Sequence, residues 1–565
     1  MGAEINLMIA GEAGQGIKTL GHILAKAFAR GGHHVFADRD YESRIQGGHS
    51  FCRVRVRDTE VNAVSDSLDI VVAMNQESIG LHKEQLKSGG LIVYDGNRVG
   101  EENGDHLFSV PLEQMARDKA GSKAMSNSVG LGAALGLLGY NLQLLEGVFR
   151  DHFSDEQAQP NIEAARSGYE YALRNSKGYA SRLETTDIAK RMVLNGNEAL
   201  GLGAIAAGCK LIAAYPMTPA TSIMEYMASR GGELGIAVYQ PEDEIAAINV
   251  AVGAGYAGVR AMTATSGSGL CLMVEGLGLA GLTETPVVIV DAQRPGPAVG
   301  LATRTGQGDL QFVLNAHHDD FPKAVLAPRS VEDAFWTAVR AFNLSEKYQL
   351  PVIVLTDAHL ATSFATVGEL DFSKISIERG EVYRGKAEEY QRHRITESGV
   401  SPRAFPGQSK ALVVTNSCEH NEEGHRSEDA GTRTAMMQKR MRKLEALGKE
   451  VAAPQRYGSE KGEITLLAWG STCGAVKEAV DVLENERAGV NCLLFNELYP
   501  FPAEPVRGYL RNAGKVYAVE NNFSGHFARL IKDSAGIGVD GEVLKYDGRP
   551  FTPTFIAGEI GKEVR

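Results

Sequence analysis

Short apolar runs alternate with amphipathic stretches along most of the chain. Near the start, Ile5–Ala10 is continuously apolar over the length of a buried strand, apart from Asn6, and IKTLGHILAKAFARGG then repeats apolar positions at helical spacing. HHVFA, FCRVRVR, LDIVVAM and GLIVYD follow as further strand-like runs. Residues 1–180 therefore read as a mainly β-α-β succession, which predicts a mostly parallel sheet with helices on both faces. SKGYASRLETTD, residues 176–187, is polar and reads as a linker.

A second pattern begins near residue 190. GNEALGLGAIAAGCK predicts a helix rich in small residues, and LIAAYPMTP a short strand ending in a proline-bounded turn. EDEIAAINVAVGAGYAG is another small-residue helix, VRAMTATSGSG and TPVVIVDAQRPGP pass from strand to loop, and PVIVLTDAHLA closes the unit before residue 370. The composition then changes. Residues 371–460 contain CEHNEEGHRSEDAGTRTAMMQKRMRKLEALGKE, read as a charged connector ending in a helix. Within 461–565, ITLLAWG, VNCLLFN and KVYAVENN mark a last α/β unit. The predicted fold class is α/β, with three α/β domains at 1–180, 190–370 and 461–565 and the connector between the last two.

Over 565 residues, 43% apolar and 23% charged, the chain can bury several cores, which excludes wholesale disorder. A net charge of −12 argues against a nucleic-acid binder. The N-terminal residues lack a basic, cleavable leader pattern, and the longest apolar stretch, Gly267–Leu282, is interrupted by Glu275. The expectation is a cytoplasmic protein with no membrane or nucleic-acid partner. The six cysteines, Cys52, Cys209, Cys271, Cys418, Cys473 and Cys492, contain no CxxC pair, so reduced thiols are expected rather than a zinc or iron–sulfur site built by this chain.

Four constellations carry chemistry. Gly11-Glu-Ala-Gly14-Gln15-Gly16 links a predicted strand to a predicted helix, where glycines let backbone N–H groups approach a phosphate. Its GxxGxG spacing differs from the dinucleotide GxGxxG, although Asp38, 22 residues after Gly16, stands where a ribose-binding acid would sit. Tyr215-Pro216-Met217-Thr218-Pro219 is a stiff turn that holds the Thr218 hydroxyl in place. Glu242, Asp243 and Glu244 precede a Gly/Ala-rich helix, an arrangement found in thiamine diphosphate enzymes, where a glutamate touches the aminopyrimidine ring; Glu244 is the first choice and Glu242 the second. Arg294 follows an apolar strand at its C-terminal end, where open α/β sheets bind ligands, and a guanidinium there can grip a carboxylate in bidentate fashion. Thr303-Arg-Thr-Gly-Gln-Gly-Asp309 lies just beyond. CEHNEEGH, with Cys418, His420 and His425, has only a superficial metal-like spacing, and ENNFSG, 520–525, reads as a strand-end turn.

Taken together, GEAGQG with YESRIQGGHSFCRVRV, then YPMTPAT, EDEIAAINVAVGAGYAG, MTATSGSG and QRPGPAVGLATRTGQGD, resemble the alpha subunit of 2-oxoacid:ferredoxin oxidoreductases with a gamma domain fused at the N-terminus. The 2-oxoglutarate (KorA-type) branch is most similar, and Met217 replaces the usual isoleucine of the turn. The resemblance implies a gamma-type first domain associated with coenzyme A, a thiamine diphosphate pyrimidine-binding second domain and a transketolase C-terminal-like third. It implies coenzyme A-dependent oxidative decarboxylation of a 2-oxoacid, with electrons passing to ferredoxin, in a direction that could also be reversed. Thr218, Arg294 and Thr303 would bind the 2-oxoacid, Glu244 would be catalytic, and Tyr215, Pro216 and Glu244 would line the cofactor. Gly11, Gly14, Gln15 and Gly16 would hold coenzyme A.

The sequence has no GDG followed by an NN pair, the element that would hold the cofactor diphosphate and its metal. The resemblance therefore implies a beta subunit carrying Mg²⁺ and a [4Fe–4S] cluster, in an α2β2 assembly. Alternatives at this level are pyruvate or branched-chain 2-oxoacids as substrate, a self-sufficient transketolase-like enzyme, or a non-catalytic nucleotide-binding assembly protein that uses GEAGQG alone.

Overall fold

The apolar run after the N-terminus forms β1 (Glu4–Glu12), with seven consecutive buried residues, in the interior of an eight-stranded sheet. In the computed structural model, described over residues 4–43, 47–97, 104–176, 183–186, 191–408, 410–486 and 489–563, the chain forms two compact units. One comprises Met1–Asn195, Thr362–Leu370 and Thr552–Phe555, and the other Gly196–Ala361, Asp371–Phe551 and Ile556–Arg565. Residues 44–46 of the YESRIQGGHSFCRVRV stretch, and residues 177–182 and 187 of the predicted linker, lie outside the described residues.

In the first unit, β1 runs parallel to β4 (Leu68–Ala73), β4 to β5 (Leu86–Tyr94) and β5 to β6 (Leu107–Ser109). The other half of the sheet corrects the expectation of mostly parallel strands. β3 (His49–Arg57) is antiparallel to both β1 and β2 (His34–Tyr41), and β14 (Phe364–Val367) is antiparallel to β2 and to β7 (Met192–Asn195). Only residues 42–48 separate β2 from β3, too few for a crossover, so the strand returns antiparallel. Behind the sheet, the helices Ser126–Leu138 and Asp155–Asn175 approach closely: a Cβ on Gly132 would lie 1.9 Å from the carbonyl oxygen of Ala165. This contact explains the small residues of SNSVGLGAALGLL.

The second unit holds two sheets. The larger is built from β8 (Leu211–Ala213), β9 (Ala237–Tyr239), β10 (Ala261–Thr265), β11 (Val287–Gln293), β12 (Ala324–Leu326), β13 (Pro351–Asp357) and β18 (Glu497–Tyr499). Its order is β18-β12-β13-β11-β10-β8-β9, parallel except at the β12–β18 edge. The smaller sheet has β15 (Gln455–Gly458), β16 (Ile464–Trp469), β17 (Val490–Phe495), β19 (Lys515–Glu520) and β20 (Gly541–Leu544), in the order β15-β17-β16-β19-β20. Ile248, Leu277, Ile289, Trp469, Phe495 and Phe527 belong to one buried cluster, so the two sheets share a core.

The charged segment before the smaller sheet does not behave as a solvated tether. Its helix Ala430–Glu450 buries Lys439, Arg440 and Lys443. Lys439 and Lys443 both pair with the buried Glu284, and His393 Nδ1 lies 3.0 Å from the same carboxylate. Nearby, Glu346 takes Arg260 at 2.9 Å, Arg403 at 2.8 Å and Arg379 at 3.0 Å. The buried charges of the connector are paired in place, as buried charges must be. No helix among the described residues is long and apolar enough to cross a membrane.

Candidate functional site

β8, β10, β11 and β13 end on the same side of the larger sheet because they run parallel, and the loops beyond them carry most of the singled-out residues. After β8, Tyr215 is exposed, Pro216, Met217 and Thr218 are half-buried, and the Thr218–Pro219 peptide is cis. Asn197 Nδ2 anchors the turn by donating to the Pro219 carbonyl and the Ser222 hydroxyl, both at 2.8 Å. The helix that follows begins at Thr221. Arg294, just beyond β11, donates from Nη1 to the Thr218 carbonyl oxygen at 2.7 Å. The YPMTP turn and QRPGP, 76 residues apart in sequence, are thus in direct contact.

Glu244 opens the helix Glu244–Tyr256, which Asp243 caps by accepting the Ala246 N–H at 2.8 Å. Glu242 is exposed, whereas Glu244 is 4% exposed and its Oε1 has no hydrogen-bond partner. Across from it runs the helix Gly267–Leu282. A Cβ on Gly269 would stand 2.1 Å from Thr265 Oγ1 and 2.7 Å from Glu244 Oε1. Of the clustered acids, Glu244 is therefore the one held in a narrow, water-poor recess with an unused acceptor. Such a carboxyl, walled by small residues, fits a ring nitrogen of a planar aminopyrimidine with which it can share a proton.

Two further acids, Asp291 and Asp309, were not picked out as site residues by sequence reasoning. Asp291 lies within β11, fully buried, with neither carboxylate oxygen hydrogen-bonded. Asp309 packs beside the first turn of Gly267–Leu282, where a Cβ on Gly267 would be 2.5 Å from its Oδ2. Burial raises Asp309 to about 6 against the pull of Arg294, and burial with the neighbouring Asp309 raises Asp291 well above the ordinary carboxylate range. Burial also lowers the Arg294 guanidinium, with Asp309 opposing. A lone acid inside the apolar strand VVIVDAQ was the available sequence signal for Asp291. Thr303 sits half-buried in the loop between Arg294 and Asp309.

In the other unit, GEAGQG turns from β1 into the helix Ile17–Arg30. Gly14 and Gly16 have φ of 98° and 74°, in the left-handed region that favours glycine. No side chain caps this helix and its first turn carries no acid, so its N-terminal end suits an anion. Gln15 braces the loop internally, its Oε1 accepting the Glu12 N–H at 2.8 Å and its carbonyl accepting Asn127 Nδ2 at 2.9 Å. A cavity of about 530 Å³ opens here, lined by Gly14, Gly16, Lys18, Arg39, Tyr41 and Phe51 among others. Asp38 is not placed as a ribose acceptor: it is buried in an ion pair with Arg53, Nε to Oδ1 2.9 Å. In CEHNEEGH, Cys418 and His425 are exposed while His420 is buried with Nδ1 3.0 Å from the Cys418 carbonyl. Among the described residues no group of three or more His, Cys, Asp or Glu side chains could hold a metal ion.

Comparison with known proteins matches three family models in series. Residues 6–171 match "pyruvate ferredoxin/flavodoxin oxidoreductase", 202–439 the thiamine diphosphate-binding model of pyruvate flavodoxin/ferredoxin oxidoreductases, and 462–553 the "pyruvate:ferredoxin oxidoreductase core domain II". A 2-oxoacid:ferredoxin oxidoreductase subunit alpha from Sulfolobus sp is 34% identical over 97% of this chain and 95% of its own length. The 2-oxoglutarate oxidoreductase subunit KorA of Mycobacterium tuberculosis is 27% identical over 100% of this chain and 91% of its own. A solved 2-oxoglutarate:ferredoxin oxidoreductase from Magnetococcus marinus, with 2-oxoglutarate, coenzyme A and succinyl-CoA bound, superposes with a TM-score of 0.94, 32% identity and 100% coverage of both chains. By these matches the chain belongs to the family of 2-oxoacid:ferredoxin oxidoreductase alpha subunits, with a gamma-like domain fused at its N-terminus.

Proposed function

We propose that this chain is the alpha subunit of a 2-oxoglutarate:ferredoxin oxidoreductase and contributes half of a thiamine diphosphate site. The reaction converts 2-oxoglutarate and coenzyme A to succinyl-CoA and CO₂. Two electrons leave one at a time to two ferredoxins, and one proton is released. The observation that carries the reading is Glu244: a buried carboxylate with an unpartnered Oε1 at the mouth of a small-residue recess. Thiamine diphosphate, when bound, supplies the nucleophilic carbon and the electron sink for decarboxylation. Glu244 would share a proton with a ring nitrogen of the aminopyrimidine, favouring the tautomer that deprotonates the reacting carbon. Tyr215 and Pro216, on the turn after β8, would contact the cofactor. Arg294, pre-set by the Thr218 carbonyl, grips the 2-oxoacid carboxylate, and the hydroxyls of Thr218 and Thr303 fix its keto oxygen.

Coenzyme A is held in the other unit. The Gly11–Gly16 loop and the open end of the helix Ile17–Arg30 receive phosphate, Lys18 and Arg39 add positive charge, and Gln15 shapes the loop from within. A beta subunit provides the diphosphate and Mg²⁺ site and a [4Fe–4S] cluster in an α2β2 complex, because this sequence lacks the diphosphate motif and its cysteines are widely spaced. Ferredoxin is the electron acceptor and the cytoplasm the location. The choice of 2-oxoglutarate is supported by the ligand-bound relative that matches the whole chain and by the KorA homologue. A wider 2-oxoacid range, including pyruvate and branched-chain acids, is the second reading, favoured by the 34%-identical relatives named only for 2-oxoacids.

The test is Glu244→Ala in the complex co-expressed with its beta partner. Turnover should fall at least 100-fold while the two chains still co-purify; turnover above a tenth of wild type contradicts the assignment.

A further inference from the structure

Between Thr303 and Asp309 the chain is fastened at alternate residues. Thr305 Oγ1 donates to Asp357 Oδ1 at 3.1 Å, at the end of β13, and accepts the His359 N–H at the same distance. The Asp309 N–H donates to Gln293 Oε1 at 3.0 Å, at the end of β11. Apart from a Thr305 N–H bond to the Gly548 carbonyl at 3.2 Å, which comes from the smaller-sheet side, these anchors belong to the larger sheet. The middle anchor, Gln307, does not. It is fully buried, and every polar atom it has is engaged by the smaller sheet. Its N–H donates to the Asn521 carbonyl at 2.7 Å, and its carbonyl accepts Asn522 Nδ2 at 3.1 Å. Its side-chain Oε1 accepts the Thr472 hydroxyl at 2.8 Å and the Asn521 N–H at 3.0 Å, while Nε2 donates to the Trp469 carbonyl at 2.9 Å.

The grip is itself rigid. Glu520 accepts from Asn522 Nδ2 at 2.7 Å and from the N–H groups of Phe527 and Ala528 at 2.7 and 3.0 Å, which ties the ENN turn to the first turn of the helix His526–Ala535. Gly470 leaves room for the amide, since a Cβ there would be 2.9 Å from Gln307 Nε2. An amide whose donor and acceptor are both met inside a dry contact tolerates neither shortening nor rotation without leaving a buried group unpaired.

We propose that Gln307 is a positioning residue for the 2-oxoacid: through it, the ends of β16 and β19 in the smaller sheet fix the loop that presents Thr303 on one side and Asp309 on the other. This deepens, and rests on, the reading of Arg294, Thr218 and Thr303 as the 2-oxoacid site. The C-terminal sheet thereby gains a role in substrate binding although none of its side chains need touch the acid.

The experiment compares Gln307→Ala, Thr472→Val, the double variant and Arg294→Ala, each in the complete complex with the beta partner. KM for the 2-oxoacid, KM for coenzyme A, kcat and the melting temperature are read for each. Gln307→Ala should raise the 2-oxoacid KM about tenfold and leave the coenzyme A KM within twofold. Thr472→Val, which deletes one hydroxyl at nearly constant shape, should raise it about threefold without lowering the melting temperature by more than a few degrees. The double variant should be no worse than Gln307→Ala alone, because both act through one amide. The proposal is overturned if the 2-oxoacid KM stays at the wild-type value in Thr472→Val and in any Gln307→Ala complex that assembles, or if both KM values rise together. An unchanged 2-oxoacid KM in Arg294→Ala would instead sink the site reading. A raised KM there with unchanged values for Thr472→Val and Gln307→Ala would sink the role of Gln307 alone.

Discussion

Arg294 donates a guanidinium N–H to the carbonyl oxygen of Thr218 at 2.7 Å, which locks the loop after β11 to the turn after β8. The guanidinium is thus oriented by the protein rather than by the ligand, and substrate binding need not order it. Arg294→Ala should raise the 2-oxoacid KM by roughly 30-fold to several thousand-fold, corresponding to about 2–5 kcal/mol for a lost buried ionic contact. Arg294→Lys should recover little, because an ammonium cannot reach the Thr218 carbonyl and a carboxylate with the same fixed geometry. Steady-state kinetics with varied 2-oxoacid check both; a lysine variant with wild-type KM would contradict the bidentate role.

Asp309 gives the site a pH-dependent cost. Burial raises its carboxyl to about 6 from an ordinary value of 3.8, with Arg294 pulling the other way. The folded state therefore holds this proton more tightly than the unfolded chain. The carboxyl is neutral in both states below about pH 4, and as pH rises through 6 the fold must carry a buried charge, which costs up to about 3 kcal/mol. Asp309→Asn should be more thermostable than wild type at pH 8, and the difference should vanish toward pH 4. Melting curves across that range test the sign; a difference that does not change with pH contradicts it.

Gly269 and Gly278 lie on the same helix and make a matched pair. A Cβ on Gly269 would collide with Thr265 Oγ1 and Glu244 Oε1, at 2.1 and 2.7 Å, whereas one on Gly278 meets nothing within 4 Å. Gly269→Ala should weaken thiamine diphosphate binding at least tenfold by displacing Glu244. Gly278→Ala should leave it unchanged, with a slight gain in helix stability of about 1 kcal/mol or less. Cofactor titration by fluorescence separates the two, and equal affinities for both variants would remove Glu244 from the cofactor recess.

The buried Glu284 pairs with both Lys439 and Lys443, whose ammonium groups burial lowers to about 7 and 8. Removing the carboxylate leaves two buried lysines unpaired. Glu284→Gln should cost about 3–5 kcal/mol, visible as a fall of several degrees in melting temperature. Loss of the helix Ala430–Glu450 from its seat should appear as new proteolytic cuts within 371–450. A variant that melts and digests like wild type contradicts the idea that these charges fasten the segment.

Much of this was legible in the sequence because the relevant signals are local. The glycine spacing of GEAGQG, the prolines around Thr218 and the acid before a small-residue helix each specify their own neighbourhood. Arg294 was legible for the same reason, standing directly after an apolar strand. What was not legible depends on long-range pairing. The antiparallel half of the first sheet needs partners as distant as Phe364 and Ala37. Asp38 looked available until Arg53 was found beside it. Lys439 and Lys443 read only as part of a charged connector, because composition cannot reveal Glu284, 155 residues away from Lys439. Gln307 lies inside the TRTGQGD run, but the run does not show its partners: its importance comes from Thr472 and Asn521, which reach it from the smaller-sheet side.

The central claim is that this chain supplies one half of a 2-oxoacid-oxidising site and needs a second chain for the other. It is tested most directly by anaerobic, coenzyme A-dependent viologen reduction with 2-oxoglutarate, pyruvate and 2-oxoisovalerate in parallel, using this chain alone, the beta partner alone and the co-expressed pair. The account predicts reduction by the pair only, with kcat/KM highest for 2-oxoglutarate. Turnover by this chain alone, or no turnover of any 2-oxoacid by a pair loaded with thiamine diphosphate and cluster, would contradict it.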